Sequence, residues 1–120
     1  MTDKNRPLRL GMHTYTLHFF GLGESWGFGK DYYFEQTLSL YKLMDLAEEW
    51  QLDGLQITKV DLLTTETQDP FSEENLKKVG QAAKEHGLFL EFNSSFQAGS
   101  DSRVYCTVEE ALKIGHFLGA

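Results

Sequence analysis

Short apolar segments alternate with segments of helical periodicity along the chain. Leu8 to Tyr15 opens with alternating apolar positions and ends in β-branched and aromatic residues, which is typical of a buried strand. Two further apolar runs resemble it, so that strands are expected at about 8–15, 54–60 and 88–93. Apolar residues recur elsewhere at three- and four-residue steps, which predicts helices at about 34–51, 72–86 and 107–118.

The predicted helix ends carry residues that are suited to capping. Ser72 is a good N-cap, and two glutamates follow it in the first turn, where acidic residues favour the helix dipole. Gly87 supplies a C-terminal stop. Thr107 and Glu110 have the spacing of a capping box. The predicted apolar stripe of the first helix consists of Leu40, Leu43, Met44, Ala47 and Trp50.

The β-α-β-α-β-α order indicates an α/β fold with parallel strands in the order 1-2-3, because a helix between two strands favours a right-handed crossover. Three strands are few for a flavodoxin-like domain. At about 35 residues per unit, eight units would need roughly 280 residues, which is a usual length for an eight-fold barrel. Residues 1–120 are therefore interpreted as a single partial domain, the N-terminal part of a TIM (β/α)8 barrel.

Three segments carry a resemblance to a known family. The first strand, Leu10–Tyr15, resembles the opening of xylose-isomerase-like TIM barrels, a superfamily that also contains endonuclease-IV-like proteins and many sugar isomerases and epimerases. The helix end and Asp-Gly turn in Ala47–Ile57 resemble the second unit of that family, and the helix, glycine and strand in Ala82–Asn93 resemble the third. The resemblance covers about residues 8–118.

This resemblance implies a sugar isomerase or epimerase that moves protons beside a sugar carbonyl. Members of the family typically hold a divalent metal, Mn²⁺ or Mg²⁺, through carboxylates and histidine on later strands of the barrel. Those strands are absent from this chain, so its metal ligands are expected to lie outside it. The implied substrate is a small carbohydrate.

Polar residues near the strand ends are the candidate site. Active sites of parallel barrels lie at the C-terminal ends of the strands, and side chains alternate between the two faces of each strand. Turning the more polar face of each strand to the barrel axis brings together His13, Tyr15, Thr58, Glu91 and Asn93. Glu91 is the candidate catalytic residue, and the other four are candidate substrate contacts.

Each of these candidates has a structural alternative. His13 could be a hydrogen-bonded core histidine, and Tyr15 could simply form a wall of the pocket. A carboxylate within a strand is costly to bury without a partner, so Glu91 could instead belong to an ion pair or polar network between strands.

The segment at about 16–33 is rich in glycine and aromatic residues. It fails the dinucleotide fingerprint because Trp26 stands where a glycine is required, and no Gly-Lys-Ser/Thr sequence follows. Aromatic faces pack well on sugar C–H surfaces, so Trp26 is a further candidate substrate contact in a lid over a carbohydrate. Packing against a partner subunit is equally compatible with this composition.

Composition narrows the protein class. Hydrophobic residues make up 41% of the chain, enough for a core, and the net charge of −7 disfavours nucleic acid as a partner. No apolar run approaches the length of a membrane-spanning helix, and the polar N-terminus lacks a signal-peptide core, so a cytoplasmic protein is expected. Cys106 is the one cysteine, which excludes an internal disulfide and a multi-thiolate zinc site.

Two other functions remain open at this point. The chain could be a non-catalytic α/β module or a barrel subunit that binds a partner chain, or it could belong to a metal-dependent lyase that acts on a carbohydrate. Three parallel strands with helices on one face leave the other face uncovered and two strand edges unpaired. We therefore expect a homo-oligomer or a completing chain.

Overall fold

The structure is a computed structural model, and it describes residues 8–14, 38–93 and 105–120. In these ranges the elements are β1 (Gly11–His13), α1 (Leu40–Glu49), β2 (Gly54–Thr58), α2 (Lys59–Leu62), α3 (Glu73–Glu85), β3 (Phe89–Asn93) and α4 (Val108–Leu118). The strands form a parallel sheet in the order β1-β2-β3. The predicted α/β class, parallel pairing and strand order are confirmed.

Alternation along the strands creates the core. Leu55 and Ile57 of β2 and Leu90 of β3 are buried on the face of the sheet that carries the helices. The helices contribute one apolar side each, and Cys106 is buried in the same core. Sixteen hydrophobic residues are buried in the described ranges, and the strand and helix positions that form most of this set follow the two periods read from the sequence.

The first helix ends earlier than the predicted residue 51. The described part of it begins at Leu40, where the hydroxyl of Ser39 accepts a hydrogen bond from the backbone N–H of Lys42 at 3.1 Å. Residues 34–37 of the predicted helix lie outside the described residues. The helix ends at Glu49, and Trp50 is its C-cap. Trp50 is 49% exposed, so its predicted place in the apolar stripe is wrong.

The second predicted strand is wrong over its last residues. β2 ends at Thr58, and the short helix α2 follows at once. The carboxylate of Asp61 accepts a 2.6 Å hydrogen bond from the backbone N–H of Thr58, which caps that helix and turns the chain away from the sheet. The last two helices agree with the sequence, with Ser72 and Thr107 as their N-caps.

At the N-terminal ends of the strands, Asp53 joins all three strands. The backbone N–H of Leu10 donates to the Asp53 carboxylate at 2.6 Å, and the backbone N–H of Asp53 donates to the Leu10 carbonyl at 2.6 Å. The backbone N–H of Phe89 donates to the Asp53 carbonyl at 2.9 Å. The Phe89 ring lies flat on Gly54, where no Cβ would fit, and the Arg9 guanidinium lies 4.5 Å from the centre of that ring. The Asp-Gly pair of the sequence therefore fixes the register of the sheet.

Candidate functional site

The candidate site is the face of the sheet opposite the helices. We define the polar face as His13, Gln56, Glu91 and Asn93. Parallel register places His13 beside Gln56, and Gln56 beside Glu91, while Asn93 lies beside Thr58. Because successive side chains alternate, these residues share one face and the buried Leu55 and Ile57 lie on the other.

Two hydrogen bonds connect the polar face. The side-chain amide of Gln56 donates to Oε2 of Glu91 at 3.0 Å. The amide nitrogen of Asn93 lies 3.3 Å from Nε2 of His13. His13 belongs to β1 and Asn93 to β3, so this second contact passes over the middle strand, β2. Adjacent strands of a sheet lie about 4.8 Å apart. The outer strands therefore direct their side chains toward a common point above β2.

The contact with Asn93 fits a neutral His13. Burial lowers the pKa of His13 below its ordinary value, because an imidazolium loses hydration in a half-buried position. With the Asn93 amide donating, Nε2 is the acceptor and the ring proton resides on Nδ1. The polar face thus combines an amide-bound neutral imidazole with the exposed carboxylate of Glu91.

A buried carboxylate lies at the C-terminal ends of β1 and β2. Oδ2 of Asp61 accepts hydrogen bonds from the hydroxyl of Thr14 at 2.7 Å, the backbone N–H of Thr58 at 2.6 Å and the hydroxyl of Thr58 at 3.3 Å. Oδ1 of Asp61 is buried without a hydrogen-bond partner among the residues described. Burial raises the pKa of Asp61 to about 6, against the opposing effect of the three hydrogen bonds.

The structure assigns places to four of the six predicted site residues. His13, Glu91 and Asn93 lie on the polar face, and His13 and Asn93 are brought within hydrogen-bond distance. Thr58 contacts Asp61 at the end of β2. Tyr15 and Trp26 lie outside the described residues, as does the aromatic segment at 16–33. The catalytic and substrate-binding roles of all six remain predictions.

Sequence reasoning missed two residues of this region. Gln56 has the same strand parity as Thr58, and that parity is the signal that would have included it as the partner of Glu91. Asp61 follows Thr58 at capping-box spacing directly after a strand, which is the sequence signal for both the short helix and its buried acid.

The described residues contain no group of three or more His, Cys, Asp or Glu side chains that could hold a metal ion. No helix in the described ranges is long and apolar enough to cross a membrane. No protein-family model, curated protein or solved structure matches the chain.

Proposed function

We propose that the polar face binds a small carbohydrate, and that the chain is the N-terminal part of a sugar isomerase or epimerase with the TIM-barrel fold. The observation that carries this proposal is the convergence of His13, Gln56, Glu91 and Asn93 from three parallel strands onto one face. The sequence resemblance to xylose-isomerase-like barrels supports the same function.

The chemistry of this face suits a ligand with many hydroxyl groups. Amide groups both donate and accept hydrogen bonds, a carboxylate accepts from two hydroxyls, and a neutral imidazole presents one donor and one acceptor. In the proposed isomerisation, the Glu91 carboxylate accepts a proton from the hydroxyl-bearing carbon beside the sugar carbonyl and returns it to the carbonyl carbon, while the proton of that hydroxyl passes to the carbonyl oxygen. Gln56 is the positioning residue for Glu91, since its amide holds one carboxylate oxygen at 3.0 Å.

The proposed barrel is supported by the cover that parallel sheets usually have on both faces. Parallel sheets are usually covered on both faces, and here the polar face and the outer edges of β1 and β3 have no covering strand within the described residues. Further strands, in the same polypeptide, in another chain or in further copies, would complete a barrel around the polar face. The Mn²⁺ or Mg²⁺ of such enzymes and its ligands belong to those strands, and a cytoplasmic location accords with this metabolic role.

Sugar binding can be measured directly on the two amide side chains of the polar face. In ¹H–¹⁵N NMR spectra, D-xylose and D-fructose should shift the side-chain NH₂ signals of Gln56 and Asn93 while leaving that of Gln81 on α3 unchanged. Glu91→Gln should weaken this binding at least tenfold, whereas Glu74→Gln, at an exposed acid of α3, should leave it unchanged. Sugar-induced shifts that spread evenly over the chain, or none at millimolar sugar, would overturn the proposal.

A second candidate, a module that binds a partner chain, is favoured by a different observation. Val108 and Leu112 of α4 are 62% and 70% exposed, which is unusual for two large apolar side chains one helical turn apart. Such a pair is typical of a helix that packs against another protein surface.

A further inference from the structure

One side of α4 carries exposed apolar side chains. Val108, Leu112 and Gly115 recur at four- and three-residue steps, so they lie along one side of the helix, and we call them the α4 stripe. Ile114 and Leu118 face the core instead, where α4 packs on α3 and β3. The stripe is thus separate from the side of α4 that stabilises the fold.

Gly115 lies inside the helix without a requirement from the fold. Its φ angle is not positive, and a Cβ added there would meet nothing within 4 Å among the described residues. A glycine in a helix interior is destabilising relative to alanine. Its absent side chain leaves a shallow depression beside the exposed Leu112, into which a side chain of another helix can pack.

Charged residues border the α4 stripe in a self-complementary order. Glu109 is exposed near the N-terminal end of the helix, and Lys113 and His116 are exposed toward its C-terminal end, all on the same border of the stripe. In an antiparallel pair of α4 helices, Glu109 of each copy lies near Lys113 and His116 of the other. In a parallel two-fold pair this border would instead face the opposite border of the partner helix, on which Ala111 lies, and Glu109 would have no opposite charge across the interface.

We infer that the α4 stripe is a dimer interface, in which two copies of this chain pack their α4 helices antiparallel about a two-fold axis at Leu112. With the axis at that residue, Val108 of one copy lies over the depression at Gly115 of the other. The charge order selects the antiparallel arrangement, because opposite charges then meet across the interface. A patch of this size is small for a protein interface, so the dimer is weak and forms at high protein concentration.

This inference goes beyond the proposed function and does not depend on it, because α4 lies on the helix side of the sheet and not on the polar face. Engineered cysteines give the sharpest test. The two copies of residue 112 face each other across the two-fold axis. The two copies of residue 108 are instead about 12 Å apart along the helix direction, at a rise of about 1.5 Å per residue. Disulfides do not form when the Cα atoms are more than about 7 Å apart.

Mild oxidation should therefore convert Leu112→Cys to a covalent dimer but leave Val108→Cys monomeric. The unmodified chain is the control, because its Cys106 is buried. Cross-linking of both variants would overturn the antiparallel arrangement, and cross-linking of neither would overturn the interface.

Sedimentation provides an independent measurement. Leu112→Glu should raise the dimer dissociation constant at least tenfold, whereas Lys78→Glu, at an exposed position of α3, should not change it. Glu109→Lys should weaken the dimer, and adding Lys113→Glu to it should restore the affinity. A chain that remains monomeric at submillimolar concentration would show that another protein or segment covers the stripe, and would overturn the inference. Sugar-induced shifts of Gln56 and Asn93, measured on monomeric Leu112→Glu, test the proposed function separately.

Discussion

The hydroxyl of Thr14 donates a 2.7 Å hydrogen bond to Oδ2 of Asp61, and this bond joins the end of β1 to the helix that follows β2. The two residues are 47 positions apart in the sequence, and both are buried. The same oxygen accepts the backbone N–H of Thr58. One carboxylate thus holds together the strand ends next to the polar face.

Replacing Asp61 should change how stability depends on pH. The pKa of Asp61 is raised to about 6 in the folded chain, against about 3.9 in an unfolded one. Between these values the folded state binds more protons, so the free energy of unfolding falls as the pH rises from about 4 to 6, by up to ~3 kcal/mol. Asp61→Asn keeps an acceptor for Thr14 and Thr58 without the charge, so it should gain stability relative to the native chain across this range.

Urea denaturation of both proteins at several pH values between 4 and 7 checks this. Asp69→Asn, at an exposed acid in the loop before α3, is the matched control and should show a constant difference from the native chain. A stability difference between Asp61→Asn and the native chain that does not vary with pH would contradict the prediction. Asp61→Ala should destabilise at every pH, since it leaves the Thr58 N–H without its acceptor.

Most of the described fold could be predicted from the sequence, because the positions of helices and strands depend on local patterns of residues. The alternation of side chains along a strand predicts that Leu55 and Ile57 lie on the face opposite Gln56. Capping residues such as Ser72 predict where helices begin. The candidate site was harder to predict, because its side-chain pairs depend on contacts between strands. Alternation shows that Gln56 and Glu91 can share a face, but only the register of β2 against β3 makes them partners. A four-residue helix is too short to show periodicity, so Asp61 was missed.

Gly54 should tolerate no side chain. The Phe89 ring occupies the space where a Cβ would lie, so Gly54→Ala must displace either that ring or the strand. We expect a loss of about 1–3 kcal/mol in the free energy of unfolding. Gly115→Ala is the control, because a Cβ there meets nothing within 4 Å in the described part of the chain, and alanine is favoured over glycine in a helix. Urea denaturation at low protein concentration compares the two, and equal stability of both variants would show that the ring moves without cost.

His86 should stabilise the chain in its protonated form. Its Nδ1 lies 2.8 Å from the Ala82 carbonyl and its Nε2 lies 2.8 Å from Oδ1 of Asp45 on α1, so both ring nitrogens face acceptors. Hydrogen bonds to Ala82 and Asp45 raise the pKa of His86 above its ordinary value of 6.5. The stabilising contribution is complete below pH 6.5 and is lost as the pH rises through the raised pKa.

Removal of the Asp45 charge should therefore lower the free energy of unfolding only at pH values at which His86 is protonated. Asp45→Asn should cost less than about 1 kcal/mol at pH 6, since Asp45 is largely exposed, and almost nothing at pH 9. Glu49→Gln, an exposed acid of the same helix, should show no such difference. NMR titration of the His86 ring gives the pKa directly, and a value at or below 6.5 would exclude this account of the contact between α1 and α3.

Lys59 and Glu110 should contribute unequally to stability although they form one ion pair. Nζ of Lys59 lies 2.7 Å from Oε1 of Glu110, donates to the Tyr105 carbonyl at 3.1 Å and lies 4.8 Å from the centre of the Phe71 ring. The Lys59 side chain is 8% exposed, whereas that of Glu110 is 37% exposed and retains contact with water. Removing the acid therefore leaves a buried ammonium group with less compensation, while removing the ammonium leaves a carboxylate that water can solvate.

We expect Glu110→Ala to cost about 2–3 kcal/mol in the free energy of unfolding and Lys59→Met, which preserves most of the buried volume, to cost about 1 kcal/mol or less. Glu109→Ala is the matched control for the loss of an acid from the first turn of α4, because Glu109 is exposed and adjacent. The double variant should be no less stable than Glu110→Ala alone, since it removes the uncompensated charge together with its partner. A larger loss for Lys59→Met than for Glu110→Ala would mean that the stability depends on the bond to Tyr105 and the contact with Phe71 rather than on the pairing of charges between α2 and α4.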